Sequence, residues 1–190
     1  MRLLAAAILG SLLVSPMDGA DIERALSIAR GRDGERQQFH RRYVMDLPGQ
    51  IVTQIEVITE FRRLVIIAEE HVLRGDWMFT RGRRAAEDAI KPLRGVVTLK
   101  AQVRFNPLNT FIESPPYVLA VGDAVVDTQL TPQYSVPFKA QNGKTLSSLI
   151  GVSLEASIPA VGLAQSVKAI SVMLDGRSAG RTTYDFSKLD

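Results

Sequence analysis

Gly95-Val96-Val97-Thr98-Leu99-Lys100-Ala101-Gln102-Val103-Arg104-Phe105 is the stretch that decides the fold. Val97, Leu99, Ala101, Val103 and Phe105 alternate with Thr98, Lys100, Gln102 and Arg104. A period of two sends one set of side chains into a core and the other into water. Alternation of this kind marks an antiparallel sheet with one wet face. Asn106-Pro107 closes the strand, because proline brings no N–H to a ladder.

Downstream the pattern stays β. Residues 117–122, 125–130 and 134–140 read as strands, with a short one near Phe111, and Pro137 makes 134–140 an edge. Asn142-Gly143 has the chemistry of a type I′ hairpin turn. It leads into a strand whose inner row is Ser148, Ile150, Val152, Leu154, Ala156 and Ile158. Segments 168–174 and 178–186 form a last hairpin around Asp175-Gly176. Short strands with turn signals at intervals of about ten residues point to an antiparallel sandwich.

Upstream the period changes. Asp18 or Asp21 caps a helix whose Ile22, Ala25, Leu26 and Ala29 share a face. Gly31 and Gly34 end or interrupt it, 37–42 offers a second short helical turn, and 43–45 a brief strand before Pro48-Gly49. Residues 50–58 are β-branched and strand-like. From Thr59, a plausible N-cap, Phe61, Leu64, Val65, Ala68 and Val72 follow helical spacing to Gly75. A further helix over 83–91 stops before Pro92. The expected fold is α+β: an antiparallel Ig-like β-sandwich over about 95–186, with an N-terminal helical layer from 21–94 packed on the sheet.

The first twenty residues read as a secretory signal. Met1-Arg2 supplies a positive start, Leu3 to Val14 is apolar except for Gly10 and Ser11, and Ser15-Pro16 and Gly19-Ala20 form a small-residue exit. The apolar run is short for ~30 Å of hydrocarbon. Cleavage is expected near Ala20, and no later stretch is apolar enough to span a bilayer. The expected destination is the bacterial periplasm or the exterior.

Charge and cysteine narrow the function. Residues 21–95 hold 14 basic and 12 acidic side chains, and 96–190 hold 8 and 7, so neither half is the one-sided basic surface nucleic acid requires. The pairs Arg41-Arg42, Arg62-Arg63 and Arg83-Arg84 read as solvated mixed-charge faces. Cysteine is absent, which excludes disulfides and thiolate chemistry.

Catalytic signatures are sparse. Glu69, Glu70 and His71, with His40 or Asp76, have the residue types of a metal site. Neighbours on a helix point about 100° apart, however, and cannot converge on one ion. There is no G-x-S-x-G elbow, and Gly176-Arg177-Ser178-Ala179-Gly180 lies in a hairpin, not between strand and helix. No catalytic residue, metal ligand or cofactor is assigned. Two apolar features are candidate binding residues: Trp77 and Phe79 in a connector, and Phe111 and Tyr117 in the proline-bearing loop 106–117.

Thr59-Glu60-Phe61-Arg62-Arg63, Phe105-Asn106-Pro107-Leu108-Asn109-Thr110-Phe111 and Pro115-Pro116-Tyr117 together resemble a pattern in uncharacterised exported bacterial proteins. The resemblance implies export and names no activity. The leading expectation is a non-catalytic exported module that contacts a protein partner of the cell envelope. The alternatives are an exported hydrolase with Glu69, Glu70, His71 and Arg62 meeting between helices and sheet, and an anionic surface or polymer bound through the Arg pairs.

Overall fold

The computed structural model describes residues 17–106, 113–139, 145–163 and 166–188. The chain enters through α1 (Gly19–Ala29), where Asp18 accepts the amides of Ala20 and Asp21 and so satisfies two of the donors a helix start leaves open. α2 (Asp33–Arg41) follows at once and takes Gly34 into its first turn. β1 (Val44–Asp46) and β2 (Val52–Ile58) form an antiparallel pair. Thr59 alone separates β2 from α3 (Glu60–Leu73), and its hydroxyl accepts the Arg62 amide at 3.2 Å. α4 (Trp77–Arg81) and α5 (Arg83–Ile90) complete the helical part.

The remainder is β3 (Val96–Arg104), β4 (Val118–Val121), β5 (Ala124–Val126), β6 (Gln129–Tyr134), β7 (Phe138–Lys139), β8 (Thr145–Leu146), β9 (Leu149–Pro159), β10 (Val167–Leu174) and β11 (Arg177–Asp185). One sheet runs β1-β2-β3-β9-β6 and another β11-β10-β4-β5, with every neighbouring pair antiparallel. β7 and β8 pair only with each other. The protein is therefore α+β with two antiparallel sheets, and β2 hydrogen-bonds directly to β3.

Two cores hold it together. The first lies between the sheets, where Ile55, Leu99, Leu154, Leu119 and Ile170 are fully buried. Burial of each such side chain contributes about 1.5–3 kcal/mol. The second lies among the helices and gathers Ile22, Leu26, Phe39, Phe61, Leu64 and Ile90. Helical spacing in α1 and α3 and strand spacing in β3 are what sort these residues to their cores. The opposite face of the first sheet is polar and partly exposed where Glu56, Lys100 and Glu155 stand in register across β2, β3 and β9, with Lys100 Nζ 3.2 Å from Glu155. It is covered at Ile58 and Thr98, where Arg63 reaches the Thr98 hydroxyl.

The structure differs from the sequence expectation at definite points. Residues 125–130 are not one strand. Asp127-Thr128 carries the chain from the second sheet to the first, and Thr128 Oγ1 both accepts the Leu119 amide and donates to the Val126 carbonyl. The strand that follows holds Pro132, while Pro137 lies beyond its end. Ile150 is exposed and Leu149 takes the inner position, because the β6–β9 register slips between Gln133 and Tyr134. The Asp175-Gly176 turn forms as expected, with positive φ at both residues. The expected strand near Phe111, the Asn142-Gly143 turn and most of the N-terminal signal lie outside the described residues.

Candidate functional site

Polar chemistry concentrates where α2, β2 and α3 meet. Arg62 and Glu69 stand seven residues apart on α3, two helical turns, and so share a face. Between them comes His40 from α2. Its Nε2 lies 3.0 Å from both Glu69 carboxylate oxygens, and Arg62 Nε donates to its Nδ1 at 3.3 Å. Arg62 also donates from Nη1 to the Val57 carbonyl at 2.6 Å and from Nη2 to Glu56 at 2.5 Å. The guanidinium stacks on the Tyr43 ring, 5.0 Å from its centroid, and the whole residue is only 3% exposed.

The direction of these bonds limits the chemistry. A guanidinium only donates, so His40 Nδ1 accepts and the ring proton sits on Nε2, facing Glu69. A carboxylate–imidazole pair that activates a nucleophile needs its second ring nitrogen turned toward a hydroxyl or thiol. Here that nitrogen meets a cation. The arrangement Glu56–Arg62–His40–Glu69 braces helix against strand, with an acid at each end and the two bases between them.

The remaining polar residues of α3 go elsewhere. His71 Nδ1 lies 2.8 Å from Asp76, which also caps α4 by accepting the Phe79 amide at 3.3 Å. Those two bonds hold the Asp76 carboxyl below its ordinary range. Glu70 pairs loosely with Arg74 at 3.7 Å. Arg62 and Glu69 are thus brought together, and Glu70 and His71 are not part of their network. Among the described residues no group of three acids or histidines is placed to hold a metal ion.

The residues singled out for binding have different fates. Phe79 is buried and lies flat on the His71 ring, with centroids 3.9 Å apart. Tyr117 is buried beside Phe105 in the core between the sheets, and burial raises its phenol pKa. Phe111 falls outside the described residues. Trp77 faces outward, 51% exposed, and so do Met78 at 80% and Leu73 at 77%.

A second exposed apolar surface was not singled out from sequence. β5 and β6 are the last strands of their sheets, joined by two residues, so they share one margin of the molecule. Val125, Leu130, Tyr134 and Val136 are all exposed there. Leu130 lies opposite Leu154 and Pro132 opposite Val152, in line with a buried row, and among the described residues no further strand pairs with β6. The signal was present in the spacing of Leu130, Pro132 and Tyr134, two residues apart. It was masked by reading 125–130 as one strand.

Three shallow clefts are found among the described residues, none lined by His40, Arg62 or Glu69, and one of them, about 500 Å³, lies at the β10–β11 turn against Leu174, Asp175 and Arg177. A second, of about 330 Å³, lies between α1 and α2 against Ile28 and Phe39, and the third, about 290 Å³, crosses the polar face of the first sheet at Gln54, Gln102 and Gln133. Compared with protein-family models, with curated proteins and with solved structures, the chain matches none.

Proposed function

We propose that this chain is an exported, non-catalytic interaction module built on an immunoglobulin-like sandwich, and that it holds a protein partner of the cell envelope at its β5–β6 margin. Support for the sandwich topology comes from strand order. With β2, β3, β4, β5, β6, β9, β10 and β11 taken as A, B, C, C′, D, E, F and G, the sheets read A-B-E-D and G-F-C-C′. β1 is then an addition outside A. Support for export is the charged start, apolar run and small-residue exit of the first twenty residues.

The observation that carries the binding reading is the margin itself. Val125 is 65% exposed, Tyr134 55% and Val136 85%, in a molecule whose two cores are otherwise well filled. Apolar side chains left exposed along one margin of this kind mark a contact surface. Pro132 determines how the contact is made. Its pairing with Val152 survives only because its missing N–H would have pointed away from β9, toward the open edge. The edge therefore lacks one donor for an added strand, and the partner is gripped through side chains.

Photo-crosslinking tests this. A photoreactive residue at Val136, in the protein's native envelope fraction, should give one discrete adduct that is lost with Tyr134→Ala. The same reporter at exposed Arg177, on the far edge of the second sheet, should give none. Identical adducts at both positions would sink the proposal.

A further inference from the structure

The helical tip 73–84 carries a second, independent surface, and its chemistry names what it meets. Leu73 and Met78 are the most exposed large apolar side chains of the helical part, and Trp77 lies between them in sequence, past the Gly75 turn. Within 73–84 there are four arginines, Arg74, Arg81, Arg83 and Arg84, and one acid, Asp76. Asp76 is held by His71 and the Phe79 amide. Arg74 pairs with Glu70 and Arg83 with Glu87, while Arg81 and Arg84 have no ion-pair partner among the described residues. Asp88, one helical turn beyond Arg84, is the nearest exposed acid left over.

We propose that this tip is a docking surface for an anionic lipid bilayer, with Trp77, Met78 and Leu73 entering the headgroup layer and Arg81 and Arg84 meeting lipid phosphates. Indole favours the water–hydrocarbon boundary, apolar side chains on a short helix dip only as far as the acyl boundary, and nearby arginines are drawn to negative headgroups. No helix among the described residues is long and apolar enough to cross a membrane, so contact is at the surface. An acidic protein surface would satisfy the arginines but would leave Met78, at 80% exposure, needing a pocket. A bilayer needs none.

Trp77 is the chain's only tryptophan, so its emission reports this surface alone. Vesicles of phosphatidylcholine containing phosphatidylglycerol should shift the emission to the blue and sediment the protein, and salt should reverse both. Pure phosphatidylcholine should do neither. Replacing Arg81 and Arg84 by Gln should weaken binding roughly twenty-five-fold, at about fivefold per arginine. Met78→Asp, at an exposed site, should abolish the shift while leaving the circular dichroism unchanged.

Three outcomes overturn the proposal: emission unmoved by anionic vesicles, an equal and salt-insensitive shift on neutral ones, or sedimentation without a shift. None of these readouts depends on the β5–β6 margin, so this inference and the proposed protein contact fail separately.

Discussion

Arg62 is where the residue scale matters most. The sequence shows it as half of a surface-like Arg62-Arg63 pair, and nothing in the local pattern marks one of the two as buried. Burial follows from position: Arg62 sits in the first turn of a helix that starts one residue after a strand, so its side chain folds back over β2. Arg63 points instead to the Thr98 hydroxyl. Removing one partner of a buried, hydrogen-bonded ion pair is costly because the others lose their compensation. Arg62→Met is expected to lower stability by about 3 kcal/mol in denaturant unfolding. Arg63→Met should stay within about 1 kcal/mol. Equal effects would contradict the bracing role.

Asp76 gives a residue-scale prediction in pH. Hydrogen bonds from His71 and the Phe79 amide favour its charged form and depress the pKa below the ordinary 3.8. A depressed carboxyl stabilises the fold above the unfolded pKa, and that contribution is lost as pH falls through the folded value. Titration of the Asp76 carboxyl carbon by NMR should give a midpoint under 3.8, and Phe79→Ala should move it little compared with His71→Ala. A midpoint at or above the ordinary value would refute this.

At the scale of elements, periodicity decided what was legible. β3 was readable because apolar and polar residues alternate without a break from Val97 to Phe105, and α1 and α3 because each holds its apolar face through successive turns. α4 was not. With five residues it has no repeat to detect, and Trp77-Met78-Phe79 reads equally as a connector. The inner row of β9 was legible from Val152 to Ile158 and failed at Ile150, where a register slip moves the side chains by one. His40 reached Arg62 and Glu69 through tertiary packing alone, so that part of the network had no sequence signal. The i,i+7 spacing of Arg62 and Glu69 did.

Gly151 tests the β3–β9 ladder. A Cβ placed there would press on the backbone carbonyl oxygen of Val103, which cannot rotate away as a side-chain tip can. Gly151→Ala should therefore part the strands locally and cost roughly 2 kcal/mol. Amides of β3 nearest Val103 should exchange faster with solvent. Unchanged exchange there would mean the strands do not approach so closely.

For the whole molecule, the two cores are tied at few points, and each tie is specific. Glu60 accepts the Gly95 amide at 3.1 Å, Tyr184 donates its hydroxyl to the Arg42 carbonyl at 3.3 Å, and Arg62 joins α3 to β2. Burial, followed by the field of Tyr43, pushes the Tyr184 phenol well above its usual range. Among the apolar side chains the fold leaves outside, which also include Ile51, Val161 and Val167, those of the β5–β6 margin and of the tip at Trp77 carry the two proposed contacts. An exposed apolar edge also invites association between copies. Pro132→Val restores the edge donor and should produce dimers or larger species by light scattering, where the native protein stays smaller. No change in size would show that Pro132 does not guard the edge.

The claim on which all else turns is that this molecule acts through those two outer surfaces. Covalent surface footprinting of the purified protein, alone and again bound in its envelope fraction, tests it directly. The prediction is protection at 73–78 and 125–136, with Gln54 and Gln102 on the polar sheet face labelled as before. Protection centred on that polar face or on the Glu35–Arg42 side of the α1–α2 cleft, with the two apolar surfaces still open, would contradict it.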